Sequence, residues 1–162
     1  MEPRELIHRI EEDASLPSGS SERFAGYAVI GLPFRSGHVL ALRRFPASSL
    51  GPGYTSIWHR DPGDKWTFYS TVAPEQSCSR YFGREVEENV QAQVRIEWSG
   101  PNEFRVMAEC SRPLMWNVTV TTTLASRLMN SVARLVPDSC GRSASCLASW
   151  ASPRGTCWER EE

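Results

Sequence analysis

The sequence predicts a mainly β domain. It reads as an antiparallel meander that forms a barrel or half-barrel, with a short N-terminal helix and a second helix near residues 124–136. Three observations predict it. Apolar residues recur at every second position in several short stretches between residues 24 and 123. Turn signals rich in Gly, Pro, Asn and Asp separate those stretches. Helical spacing of apolar residues appears only before and after them.

The elements follow in order. Residues 2–13 carry Leu6, Ile7 and Ile10 at helical spacing among Glu and Arg, the pattern of a short amphipathic helix. Residues 14–22, ASLPSGSSE, are a linker by composition. Residues 27–32 form a short apolar run ended by Pro33, and residues 38–45 form another after the Ser36-Gly37 turn signal. Residues 46–53, PASSLGPG, read as a loop. Residues 54–59 and 65–71 are rich in aromatic and β-branched side chains and flank Asp61-Pro62-Gly63-Asp64. Pro presets one φ there and Gly permits a positive one, so a hairpin is expected.

Residues 73–88 read mostly as loop. Residues 90–98 alternate, with Val94, Ile96 and Trp98 on one side and Gln93, Arg95 and Glu97 on the other, which predicts a single half-buried strand. Ser99-Gly100-Pro101-Asn102 marks a turn, and Phe104, Val106 and Ala108 continue the alternation on a return strand. Residues 115–123 are dense in β-branched side chains and predict another strand. Residues 124–136 switch to helical period, and Pro137 stops the helix. The domain organisation is then 1–23 helix and linker, 24–137 β domain with its closing helix, and 138–162 an irregular tail.

Composition narrows the function classes. The chain has 162 residues, enough for one domain, with 18 basic and 19 acidic side chains and a net charge of -1. That balance argues against a nucleic-acid partner. A hydrophobic content of 40% supports a core and excludes a disordered chain. No apolar run approaches the roughly 18–20 residues of a membrane span. The charged start MEPRELIHRIEED carries no secretory signal, so a cytoplasmic location is expected. All basic residues but Lys65 are Arg, which fits a G+C-rich genome.

The tail stands apart. Residues 139–162 hold three of the five cysteines, Cys140, Cys146 and Cys157, and two of the six tryptophans, with no Val, Ile, Phe, Tyr or Met. Such text is what G+C-rich DNA gives when read out of frame. Back-translation into the neighbouring frame yields an apolar, helix-like string, so a departure from the ancestral frame near Pro137 is expected. The fold would then lack closing strands. A genuine disordered tail is the alternative. No CxxC pair occurs, and no disulfide framework is expected.

Candidate site residues are few. His59 and Asp61 end one strand and enter the turn, with Arg60 between them. A carboxylate that fixes the tautomer of a histidine makes a general base. The structural alternative is an Asp that opens the turn and a strand-end His. His8, His38 and His59 are too scattered for a metal site by spacing, so no metal and no cofactor are expected. Cys78 has Arg80 and Arg84 nearby to lower its pKa, or is simply a small buried side chain. Glu85, Glu87 and Glu88 read as a solvated face. Tyr54, Trp58, Trp66, Phe68 and Trp98 all fall on predicted strands. They serve as core, or as walls of an apolar cavity whose polar end His59 or Arg60 would fix.

Two resemblances add to this. The blocks at residues 26–34 (GYAVIGLPF), 53–62 (GYTSIWHRDP) and 66–69 (WTFY), then Ser77-Cys78 and residues 80–83 (RYFG), together resemble a family of longer proteins from G+C-rich bacteria. That family looks like a distant relative of the lipocalin-like proteins that include carotenoid hydratases such as hydroxyneurosporene synthase. The resemblance covers about residues 24–137 and implies a barrel-like, small-ligand architecture. Gly83-Arg84-Glu85 and Trp98-Ser99-Gly100-Pro101 look like two tags of acetoacetate decarboxylase, but the spacing is short and the Schiff-base lysine is missing. The expected function is a β-barrel-like protein that binds a small apolar molecule. The alternatives are a cofactor-free hydratase or cyclase that uses His59 as acid or base, and a frameshifted fragment without activity. Whether the chain is an enzyme stays open.

Overall fold

The computed structural model describes residues 2–83 and 85–135. The chain divides into two units, Met1–Val120 and Thr121–Glu162. The tail expected at 138–162, with Cys140, Cys146 and Cys157, lies outside the described residues.

The first unit opens with α1 (Pro3–Glu12), where the charged amphipathic pattern sits. Strands β1 (Phe24–Pro33), β2 (Val39–Ser48), β3 (Tyr54–Arg60) and β4 (Trp66–Ser70) then run antiparallel as consecutive neighbours. At the β3–β4 turn Asp61 Oδ1 accepts hydrogen bonds from the backbone N–H of Gly63 at 2.8 Å and of Lys65 at 3.0 Å. The residue that takes the left-handed conformation is Asp64, at φ 64°, and not Gly63. Asp tolerates that region because its short polar side chain bonds locally.

The meander stops at β4. Residues 71–83 and 85–87 cross one face of the sheet, including two short 3₁₀ turns at Pro74–Gln76 and Cys78–Tyr81. Strand β5 (Glu88–Gln91) then pairs with β4 in parallel. Ala92 ends this strand, and β6 (Gln93–Trp98), β7 (Glu103–Glu109) and β8 (Leu114–Thr119) form a separate antiparallel sheet.

This corrects the expected architecture. The fold is mixed α/β with a five-stranded and a three-stranded sheet, not a barrel, a half-barrel or a lipocalin-like meander. Residues 90–98 are two strands in two sheets rather than one. A barrel needs each strand to pair on both sides, and among the described residues no pairing joins the two sheets. The segment expected to be a loop at 46–53 is shorter, because β2 runs on to Ser48. Pro46 is tolerated there because the β1–β2 register shifts between Ala25 and Tyr27, where the ladder is already broken.

Strand alternation gives the first sheet two different faces. Leu40, Leu42, Ile57 and Tyr69 pack against Phe104, Val106, Ala108, Trp116 and Val118 of the second sheet. Ala41, Tyr54, Trp58 and Phe68 point the other way and pack under Val72, Cys78 and Val86 of the crossing segment.

The second unit is described through α2 (Leu124–Leu135). Thr123 caps it reciprocally with Ser126: Thr123 Oγ1 accepts from the Ser126 N–H at 3.1 Å, and Ser126 Oγ accepts from the Thr123 N–H at 2.9 Å. Among the described residues no helix is long and apolar enough to cross a membrane.

Candidate functional site

The expected site residues do not converge. Paired register places His59 opposite Leu40, on the face toward the second sheet, whereas Arg60 pairs with Val39 and Trp66 across β2 and β4. Trp98 lies on β6 in the second sheet, tilted against Phe104 at 4.9 Å between ring centroids. Tyr54, Trp58, Trp66 and Phe68 occupy the opposite face of the first sheet.

His59 is bonded to a histidine and not to a carboxylate. Its Nε2 lies 2.8 Å from His38 Nδ1, and the two rings stack at 5.0 Å. Asp61 turns its Oδ1 to the backbone of its own turn, which together with the nearby charges holds its carboxyl below the ordinary range. Arg60 pairs with Asp64 at 3.0 Å. The expected His59–Asp61 general base is therefore corrected: among the described residues no carboxylate orients His59 and no catalytic cluster forms around it. No group of three or more metal-ligating side chains occurs among the described residues either.

Burial is the main cause that lowers the His59 pKa; His38 adds to it, and Asp61 opposes it. A histidine lowered on folding binds fewer protons folded than unfolded, so stability rises with pH through its titration. This contribution is complete above the unfolded value of about 6.5 and is lost as pH falls below it. Melting midpoints of the wild-type protein should therefore drop more steeply between about pH 7 and 5 than those of His59→Gln. Parallel curves for the two proteins would show that the His59 pKa is not lowered by folding.

The aromatic face is built around Trp58. Arg43 on β2 lays its guanidinium carbon 3.5 Å from the Trp58 ring centroid. Phe68 on β4 stacks at 4.2 Å, and Phe82 of the crossing segment meets the indole edge-on at 4.8 Å. Tyr54 is fully buried, and its hydroxyl accepts a hydrogen bond from the Cys78 backbone N–H at 3.0 Å. Burial, with Cys78 beside it, pushes that phenol above its ordinary range. Tyr54 is thus a core residue and not a cavity wall. Cys78 is buried, and the Arg43 Nη1 lies 3.8 Å from its sulfur. Arg80 pairs instead with Glu22, and Arg84 lies outside the described residues. Next to Trp58 and Phe68 is a pocket of about 220 Å³, lined also by Trp66, Phe82, Glu85 and Val86.

The larger opening is a cleft of about 660 Å³ on the other side of the sheet. Ile7, His8 and Glu11 of α1 form one wall; Tyr27, Arg44 and Thr55 of the first sheet, with Thr71 just beyond β4, form the second; Val94, Ile96 and Trp98 of β6 form the third. Arg44 donates to both oxygens of Glu11, from Nε at 3.0 and 3.2 Å and from Nη2 at 2.8 Å. Tyr27 donates to Glu11 Oε1 at 3.0 Å. Burial and the Glu11 charge push the Tyr27 phenol well above its ordinary range. The helix itself fully buries no side chain, and its backbone is tied down by the Arg4 N–H to the Pro101 carbonyl at 3.1 Å.

Sequence reasoning missed Glu11, Tyr27, Arg44 and Phe82. The Glu11–Arg44 pair spans 33 residues, and no local pattern announces it.

These placements overturn the functional readings drawn from sequence. There is no barrel lumen to hold an apolar ligand between the five named aromatics and His59 or Arg60. Among the described residues a hydratase or cyclase built on His59 has no carboxylate to orient it, only the ring of His38 at 2.8 Å. The departure from the ancestral frame expected near Pro137 lies outside the described residues. No family model, curated protein or solved structure matches the chain.

Proposed function

We propose that the Met1–Val120 unit is a binding module for a small amphipathic acid, held in the cleft between α1 and the two sheets. The Arg44–Glu11 pair carries this reading. A guanidinium presents a planar fork that matches a carboxylate, and here a carboxylate of the chain's own helix fills it. The side-chain hydrogen bonds from α1 to the sheet are those of Glu11. A ligand carboxylate that replaces Glu11 keeps both donors satisfied and releases the helix. Ile7, Val94, Ile96 and Trp98 offer apolar surface to the rest of the molecule. The cleft volume of about 660 Å³ falls in the usual range of small-molecule sites, about 300–1,000 Å³.

Calorimetric titration with octanoate tests it. The wild-type protein should bind, Glu11→Gln should bind about tenfold tighter because the internal competitor is gone, and Arg44→Met should not bind. Equal affinity in the wild-type protein and Arg44→Met overturns the reading, as does an absence of binding in Glu11→Gln. Kinship with the family of longer proteins is proposed on the blocks at residues 26–34, 53–62, 66–69, 77–78 and 80–83 alone, without its barrel.

A further inference from the structure

We infer that the pocket formed by Trp58, Trp66, Phe68, Phe82, Glu85 and Val86 binds the trimethylammonium group of a free, choline-like solute. The pocket lies on the face of the first sheet opposite the cleft, so this inference stands apart from the acid-binding reading.

Four aromatic rings line the pocket, of which Trp58 and Phe68 stack at 15° while three other pairs are steeply inclined. Trp66 and Phe68 are inclined at 86°, Trp58 and Phe82 at 71°, and Phe68 and Phe82 at 63°. Rings set this way offer π density from several directions, which suits a round cation that spreads its charge over methyl groups. A primary ammonium keeps its water and suits such a pocket less well. Glu85, exposed at the mouth, supplies the one formal charge among the lining residues, and it is negative. The ring system already accepts a cation from within the chain, since the Arg43 guanidinium carbon sits 3.5 Å from the Trp58 ring centroid. Trp58 Nε1–H is buried and has no acceptor among the described residues. The pocket of about 220 Å³ holds a head group rather than a whole amphiphile.

The test compares choline with 3,3-dimethyl-1-butanol, its uncharged isostere, by the shifts of the indole N–H resonances. Choline should bind saturably, and the neutral alcohol should bind at least about tenfold more weakly. Glu85→Gln, on the exposed rim, should weaken choline about threefold without altering the melt, and Trp66→Ala should weaken it about tenfold. Equal affinity for the alcohol would make the pocket merely apolar and overturn the inference. So would the absence of saturable choline binding in the folded wild-type protein. Binding of a trimethyl-lysine peptide without binding of choline would overturn the assignment to a free solute.

Discussion

Trp58→Ala is expected to destabilise the Met1–Val120 unit by about 3–5 kcal/mol, the usual cost of emptying a buried aromatic site. Trp58 is 8% exposed at the centre of the aromatic face. Its removal takes the stacking partner from Phe68, the edge contact from Phe82 and the support from under the Arg43 guanidinium. Those neighbours belong to β2, β4 and the crossing segment, so the cavity cannot be closed by the movement of one element. Urea unfolding of the full chain should show a lower midpoint at nearly constant slope. Trp58→Phe should recover part of the loss. A cost below about 1 kcal/mol, the level of an average substitution, would show that this face is not a packed layer.

Gly26→Ala should cost about 3 kcal/mol or more, for a reason that has nothing to do with glycine's flexibility. A Cβ at this position would lie 2.0 Å from the Arg44 carbonyl oxygen and 2.8 Å from the Phe45 Cα. Both obstacles are backbone, so β1 has to move away from β2. Gly26 occupies the register shift between Ala25 and Tyr27, and the bulge exists only because the two backbones approach this closely. Gly31→Ala is the matched control. Gly31 adopts φ +61° with open space around it, so only the left-handed penalty of about 1–2 kcal/mol applies. Equal losses at the two sites, read from thermal melts, would remove the steric account.

Part of the fold was legible because its causes are local. The Asp61-Pro62-Gly63-Asp64 turn is written in side chains that bond to their own backbone. The charged helix with Leu6, Ile7 and Ile10 needs no tertiary partner to declare its period. The change of sheet at Ala92 was not legible, and the reason is physical. Val90, Ala92, Val94, Ile96 and Trp98 all face the same core, so the alternation runs unbroken through the point where the strand leaves one sheet for the other. Parity records which side is buried and not which strand is the neighbour. The parallel pairing of β5 with β4 depends on where residues 71–87 lie, which no periodicity encodes. For the candidate sites, the rings of Trp58, Trp66 and Phe68 could be picked out by residue type. Phe82 could not, because it comes from a segment that read as loop. No local pattern singles out Glu11 or Arg44, and only packing shows the cleft between them.

The parallel crossover also sets an order for folding. Strands β6, β7 and β8 are joined by short turns, so each of their pairings forms between near neighbours in the chain. Pairings of that kind cost little loop entropy and form early. The β4–β5 pairing has to wait until the segment between them has laid itself across the aromatic face, with Cys78 bonded to Tyr54. A three-stranded meander formed first would give β5 a fixed end at Ala92, and docking of that strand would then be the slow event that locks the first sheet to the second.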